Sequence, residues 1–427
     1  MPAIFSPFSN LFQFGAGRAT LVAAALVLAG PALSQVEENA APAAVAHVYV
    51  ASTKQVYAFS AAADGRLTPV PGSPFSESLS WIAANSHYLF GTEPDGTTIA
   101  SFSMASDGAL KEVATTDTAT FYQGRYGGSC NPYFPVQFRI DHSGKNLYNA
   151  VDPEDGFCGS VFQSFSINND NGELTYLGAS NWILNGGAYI DFLGNNEYAY
   201  SPQCTFVDGN DSYFIVGFKR LSSGELDGFN TGPYTGAAGP IPPDPSGQGN
   251  YCPMAVAPDP TNHMAVMLRD IANPDDAPIQ QGVPAECCNE LPVIATYTAA
   301  ANGEISTTST YHNMPTVETG GYQGSPVNGG VMRMSPSGKL LAVGGAGLEI
   351  FHFNGANPIT KYKKLLANEP ISQIYWDKNN HLYAIAWNGS SSTGKLHVYT
   401  VTAASVDEAP GSPYSIPSPA NFTVHTL

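Results

Sequence analysis

Asp141-His-Ser-Gly-Lys-Asn-Leu-Tyr-Asn-Ala150 is followed, after a loop, by Val161-Phe-Gln-Ser-Phe-Ser-Ile167 and then by Asn171-Gly-Glu-Leu-Thr-Tyr-Leu177. A polar turn leads into an aromatic strand, a second strand follows, and an Asn-Gly turn leads to a third. Glycine in such a turn tolerates positive φ, so alternating β-branched and aromatic residues on both sides read as a β-hairpin. One such unit cannot bury its own faces, which makes recurrence along the chain the deciding question.

The second half of the unit recurs six more times. Val56-Tyr-Ala-Phe59 leads to Asp64-Gly-Arg-Leu67, Ile99-Ala-Ser-Phe102 to Asp107-Gly-Ala-Leu110, and Phe214-Ile-Val-Gly-Phe218 to Ser223-Gly-Glu-Leu226. Val293-Ile-Ala-Thr-Tyr297 leads to Asn302-Gly-Glu-Ile305, Leu348-Glu-Ile-Phe351 to Gly355-Ala-Asn-Pro-Ile359, and Leu396-His-Val-Tyr399 to Ala404-Ser-Val406. The polar turn before a hydrophobic strand recurs at Asn85, Leu193, Pro258, Ser335 and Asp377. Repeats of roughly 40–50 residues built from short antiparallel strands make blades round an axis. The expected fold is all-β, a seven-bladed β-propeller with four-stranded antiparallel blades. The first hairpin, from His47 to Val70, lacks an inner strand before it, whereas Ala420-Asn-Phe-Thr-Val-His-Thr-Leu427 is surplus after the last blade. The C-terminal strand is therefore expected to pair beside His47 to Ser52 and close the ring, removing edges that invite aggregation. The duplicated phrases Pro71-Gly-Ser-Pro-Phe75 and Pro410-Gly-Ser-Pro-Tyr414 fall after the outer strands of the first and seventh blades in this register.

Lys plus Arg is 17 and Asp plus Glu 35, a formal charge of −18. So acidic a chain repels nucleic acid and anionic membrane, and neither is an expected partner. Arg18, the apolar run Ala19–Ala29, the breaker Gly30-Pro31 and Ala32-Leu-Ser34 read as a signal peptide over residues 1–34, with 35–46 a flexible lead-in and 47–427 the propeller. The alternative is a retained anchor helix, but the run is shorter than the roughly 20 residues that span a bilayer. The mature chain is expected to be secreted or periplasmic, monomeric and free of membrane.

Long insertions all belong to the middle loops of blades or to the links between them: Val113 to Pro135, Asp152 to Gly159, Pro202 to Asp211, Phe229 to Pro253, Arg269 to Pro292 and Thr308 to Gly330. In a propeller these share one face, and long loops in a compact domain commonly bind something. All six cysteines lie in them: Cys130, Cys158, Cys204, Cys252, Cys287 and Cys288. In an exported chain an even count favours disulfides over free thiols or a metal, and paired zinc-ligand spacing is missing. Blade order puts Cys130 near Cys158 and Cys252 near Cys287 and Cys288, leaving Cys204 to join the latter group.

The Gly-Glu-Leu and Asp-Gly-Arg-Leu phrases, the Ser335-Pro-Ser-Gly-Lys339 turn and the Gly-Ser-Pro-Phe phrase together resemble the lactonase-type seven-bladed propellers, the family of 6-phosphogluconolactonase and carboxymuconate cyclase. The resemblance covers nearly all of the mature chain and implies His, Arg and Glu side chains opening or closing a lactone ring at the channel mouth, without a cofactor. The family's Pro-Arg-His type phrases are replaced here by Asn131-Pro-Tyr-Phe134 and Tyr251-Cys-Pro-Met254.

Charged residues are unusual on propeller inner strands, which are buried on both faces. Arg139 and Arg333 occupy the same repeat position in the third and sixth blades and are the candidates for holding a carboxylate or an oxyanion by forked hydrogen bonds. The competing reading is structural, each arginine bonding a neighbouring blade's carbonyl or Asp. Glu369, before the seventh inner strand, is the candidate general base, against an exposed loop acid. Arg125 is a candidate ligand contact from an inserted loop, and Asn185-Gly-Gly187 and Asn328-Gly-Gly330 offer backbone N–H groups to an anion, against plain tight turns. No Gly-x-Ser-x-Gly elbow, His-Glu-x-x-His or phosphate loop occurs. The leading expectation is a lactonase-like propeller that binds a small lactone or sugar acid at the loop-rich channel mouth, with hydrolysis of it left open. The alternatives are a non-catalytic propeller whose loops bind a protein or glycan, and a dehydrogenase subunit, which would need a quinone site that the repeats do not supply.

Overall fold

The computed structural model describes residues 43–118, 133–153, 160–180, 189–207, 210–228, 239–243, 251–270, 291–319, 331–367 and 369–427. These form seven separate antiparallel sheets, six of four strands and one of five. Blade 1 joins the C-terminal strand Pro419–Thr426 to Ala44–Ser52, Val56–Ala62 and Leu67–Pro69, in that order. Closure follows the expected register, with His47 opposite His425, Tyr49 opposite Thr423 and Ala51 opposite Asn421. Ala44 to Ala46, expected in the lead-in, already belong to the strand. The five-stranded sheet is blade 7, where Tyr414–Pro417 adds to the third strand after the Gly-Ser-Pro phrase.

Among the described residues, one insertion departs from expectation. Pro202 to Asp211, read as a loop, is instead a hairpin that pairs from Pro202↔Ile215 to Val207↔Asn210. Its physical cause is legible, because Asp208-Gly209 is a two-residue hairpin turn signature between alternating residues. Residues 1–34, read as a signal peptide, and Arg125, Asn185, Asn328, Cys130, Cys158, Cys287 and Cys288 lie outside the described residues.

Blades are locked together by a device that the repeat itself encodes. Tyr49, Tyr148 and Tyr200, at one position of the second strand, donate to the carbonyls of Gly108, Gly224 and Gly303 in the next blade's turn, at 3.0, 2.7 and 2.7 Å. Burial pushes all three hydroxyls well above their usual pKa, so they stay donors. Gly224 takes φ +100°, and a Cβ there would meet Asn146 Nδ2, which accounts for glycine at this turn. Between blades 7 and 1 the lock is an imidazole braced by a carboxylate of its own blade. Asp377 accepts from His381 Nδ1 at 2.7 Å and from Tyr383 at 3.0 Å, while His381 Nε2 faces the Ala63 carbonyl at 3.2 Å. Burial alone would lower the His381 pKa, but the bond and charge of Asp377 and the Ala63 carbonyl outweigh it and hold the imidazole above its ordinary value.

Between blades lie apolar clusters such as Val48, Val50, Tyr383, Leu396 and Phe422. Among the described residues no helix is long and apolar enough to cross a membrane.

Candidate functional site

The inner strands carry unpaired backbone groups toward the axis, because each blade is a separate sheet. Unpaired N–H groups at that depth need partners. Side chains from neighbouring blades supply them: Gln137 Oε1 accepts from Ile190 N at 2.8 Å, Asn421 Oδ1 from Ile82 N at 3.1 Å, and Gln373 Oε1 from Phe422 N at 2.9 Å.

One level further along the same strands, register places Arg139, Asp191, Arg333 and Tyr375 at a common repeat position, opposite Tyr148, Tyr200, Ala342 and Tyr383 respectively. The two arginines converge on one carboxylate. Arg139 Nη2 donates to Asp191 Oδ2 at 2.6 Å and its Nε to the Ile190 carbonyl at 3.2 Å. Arg333 Nη1 reaches the same Oδ2 at a longer 3.5 Å, and its guanidinium carbon lies 5.9 Å from the Tyr375 ring centre. The three side chains are only 12%, 15% and 22% exposed. Arg139 is thus committed to blade 4 as the structural reading requires, whereas Arg333 Nε is buried with no hydrogen-bond partner among the described residues. Two guanidinium groups against one carboxylate leave a net positive charge at the axis of a strongly acidic chain.

Two cavities meet at this level, sharing Arg139, Arg333 and Tyr375. One, of about 170 Å³, opens toward the start of the inner strands and is lined by Trp81, Gln137, Tyr189, Gln373, Trp387 and Asn421 among others. The other, of about 330 Å³, lies toward the inner-strand turns, with His142, Asp191, Asp259 and Ser335 in its wall.

Glu369 is not brought to the arginines. It lies 3.2 Å from Lys395 Nζ and 3.4 Å from His397 Nε2, and lines neither cavity. It precedes the inner strand Ile371–Trp376, at the opposite end of that strand from Tyr375. Cys252 is buried and its sulfur is not free; Cys204 has its backbone in the second strand of blade 4, and its side chain is outside the described residues.

Sequence reasoning missed Asp191, Gln137, Gln373 and Asn421. The signals were present: Asp191 stands two residues before the Leu193 turn, as Arg139 and Arg333 stand before theirs, and Gln137 is one strand period from Arg139.

No family model matches the chain, and no curated protein matches it in sequence. Solved structures do match. A periplasmic gluconolactonase from Pseudomonas aeruginosa is 12% identical over 90% of this chain and 99% of its own, with a TM-score of 0.55. A candidate 6-phosphogluconolactonase from Bacteroides uniformis is 13% identical over 89% and 99%, TM-score 0.56. The scaffold is that of the lactonase-type seven-bladed propellers. A hypothetical selenium-binding protein from Sulfolobus tokodaii shares it too, at 9% identity over 91% and 94%, TM-score 0.56. Likeness at such identity establishes the fold alone, and chemistry has to be argued from the axial residues.

Proposed function

We propose that this protein binds a small sugar acid or lactone in the cavity of about 170 Å³, its carboxylate, or the oxyanion of an opening ring, resting against Arg333 and Arg139. The observation that carries the reading is the unequal commitment of the two arginines. Asp191 and Ile190 engage Arg139, while Arg333 reaches Asp191 only through Nη1 at 3.5 Å and its Nη2 makes no hydrogen bond among the described residues, beside an aromatic-walled space. A buried guanidinium with donors to spare is a fork for a planar anion. The flanking Trp81, Tyr189, Tyr375 and Trp387 suit the apolar face of a small ring. Hydrolysis would use the arginines as an oxyanion clamp; among the described residues lining this cavity there is no carboxylate or imidazole to act as base.

Export belongs to the same proposal, supported by the leader-like residues 1–34 and by the periplasmic origin in the name of the Pseudomonas gluconolactonase. So do disulfides among the six cysteines. The test is calorimetric titration with gluconate and gluconolactone, alongside lactone hydrolysis, for wild type and Arg333→Ala. Loss of charge-assisted bonds is expected to weaken binding by about tenfold to a hundredfold; equal affinities for the two proteins would remove the proposal.

A further inference from the structure

The walls of the axial cavity are asymmetric in hydrogen-bond polarity, and the asymmetry is enforced by the fold. Ile190 N and Ile82 N need acceptors, and Gln137 Oε1 and Asn421 Oδ1 provide them. That fixes which way each amide is turned, since a flip would set NH₂ against N–H. Gln137 Nε2 and Asn421 Nδ2 consequently point away from those bonds. Neither makes a hydrogen bond among the described residues, although the residues are only 5% and 7% exposed. Both residues line the cavity, and neither nitrogen is among the orphaned atoms sealed from open space.

Among the described side chains around the cavity, the amide and carboxylate acceptors are already engaged. Gln373 Oε1 accepts from Phe422 N; in the wall of the adjoining cavity Asp191 Oδ2 accepts from both arginines and Asp191 Oδ1 from Phe192 N. What these side chains leave for a ligand is donors: Arg333 Nη2 and the two amide NH₂ groups. The Ser372 and tyrosine hydroxyls can serve either way and leave the side-chain balance in favour of donors.

From this we infer that Gln137 and Asn421 are specificity-determining residues which make the cavity select carbonyl and ring oxygens over hydroxyls. The inference rests on the proposed anion site. Within that ligand class it favours an acid carrying a lactone or keto carbonyl over its hydroxyl counterpart. A hydroxyl brings a proton that needs an acceptor here, and leaving it unpaired in a buried site is costly.

The test uses matched monoanions, paraconate (a γ-lactone carboxylate) and hydroxycyclopentane carboxylate, titrated into wild type, Gln137→Glu and Asn421→Asp. Each substitution keeps an oxygen for the neighbouring backbone N–H and turns the inward donor into an acceptor. Added negative charge weakens both probes alike, so the readout is the ratio of their affinities. Wild type is expected to prefer the lactone by about tenfold, and each variant to bring the ratio to about one or invert it. Equal binding of the two probes by wild type, or an unchanged ratio in both variants, overturns this inference while leaving the anion site standing. Binding of neither probe by wild type overturns the anion site and this inference with it.

Discussion

Replacing Asp191 by alanine removes the carboxylate on which two guanidinium groups converge, and its effects on stability and on binding should have opposite signs. At the observed 2.6 and 3.5 Å, and an effective dielectric of about 20, the gross attractions are about 6 and 5 kcal/mol. Most of that is offset by the cost of taking three charged groups out of water, and breaking a buried pair from one side leaves a net loss of about 3–5 kcal/mol. For a unit running Pro42–Leu427, with roughly 2 cal/mol/K of unfolding entropy per residue, this lowers the thermal midpoint by about 4–6 °C. The same substitution frees Arg139 Nη2 and Arg333 Nη1 for a ligand and raises the local charge. Affinity for gluconate should therefore rise, by about tenfold for one further charge-assisted bond. Ligand at about a hundred times its dissociation constant should then restore about 2.7 kcal/mol. Scanning calorimetry with and without ligand, paired with isothermal titration, reads both signs. A midpoint and an affinity that fall together would refute the reasoning, since the carboxylate would then be part of the ligand's contacts and not a competitor for them.

Two further outcomes follow from closure and from the His381 lock. Deleting residues 419–427 removes the inner strand of blade 1, including Phe422 at 2% and Val424 at 8% exposure, worth about 1.5–3 kcal/mol each, and uncovers a sheet edge; the shortened chain should aggregate, and a soluble product melting at the wild-type midpoint would contradict the closure. His381 has its folded pKa raised above the ordinary 6.5, so its contribution is fully present below that value and is lost as pH climbs through the folded pKa. His381→Gln should erase that decline in a midpoint-against-pH series, and coincident profiles would show that the imidazolium does not hold blades 7 and 1.

The blade count was readable because it depends on local, repeated chemistry. Glycine turns such as Asp64-Gly65 and Asn302-Gly303, flanked by period-two strands, dictate hairpins wherever they occur, and the unpaired hairpin at His47 beside a surplus strand at Phe422 dictates how the ring shuts. Arg139 and Arg333 were readable for a related reason: charge on an inner strand is conspicuous whatever surrounds it. Glu369 was selected as an acid before an inner strand, but height along the axis decides which residues meet, and Glu369 instead pairs with Lys395 and His397.

What the amino-acid order determined by itself was the scaffold, since turns and alternation act between residues near in sequence. The tertiary structure alone decided that Asp191 would take both guanidinium groups, that Arg333 would keep an unengaged nitrogen, and that Gln137 and Asn421 would turn their amide nitrogens inward. Each of these depends on inner strands from different blades standing side by side without backbone bonds between them. Their orphaned N–H groups choose the orientation of the side chains opposite, a choice made across up to 339 residues of sequence.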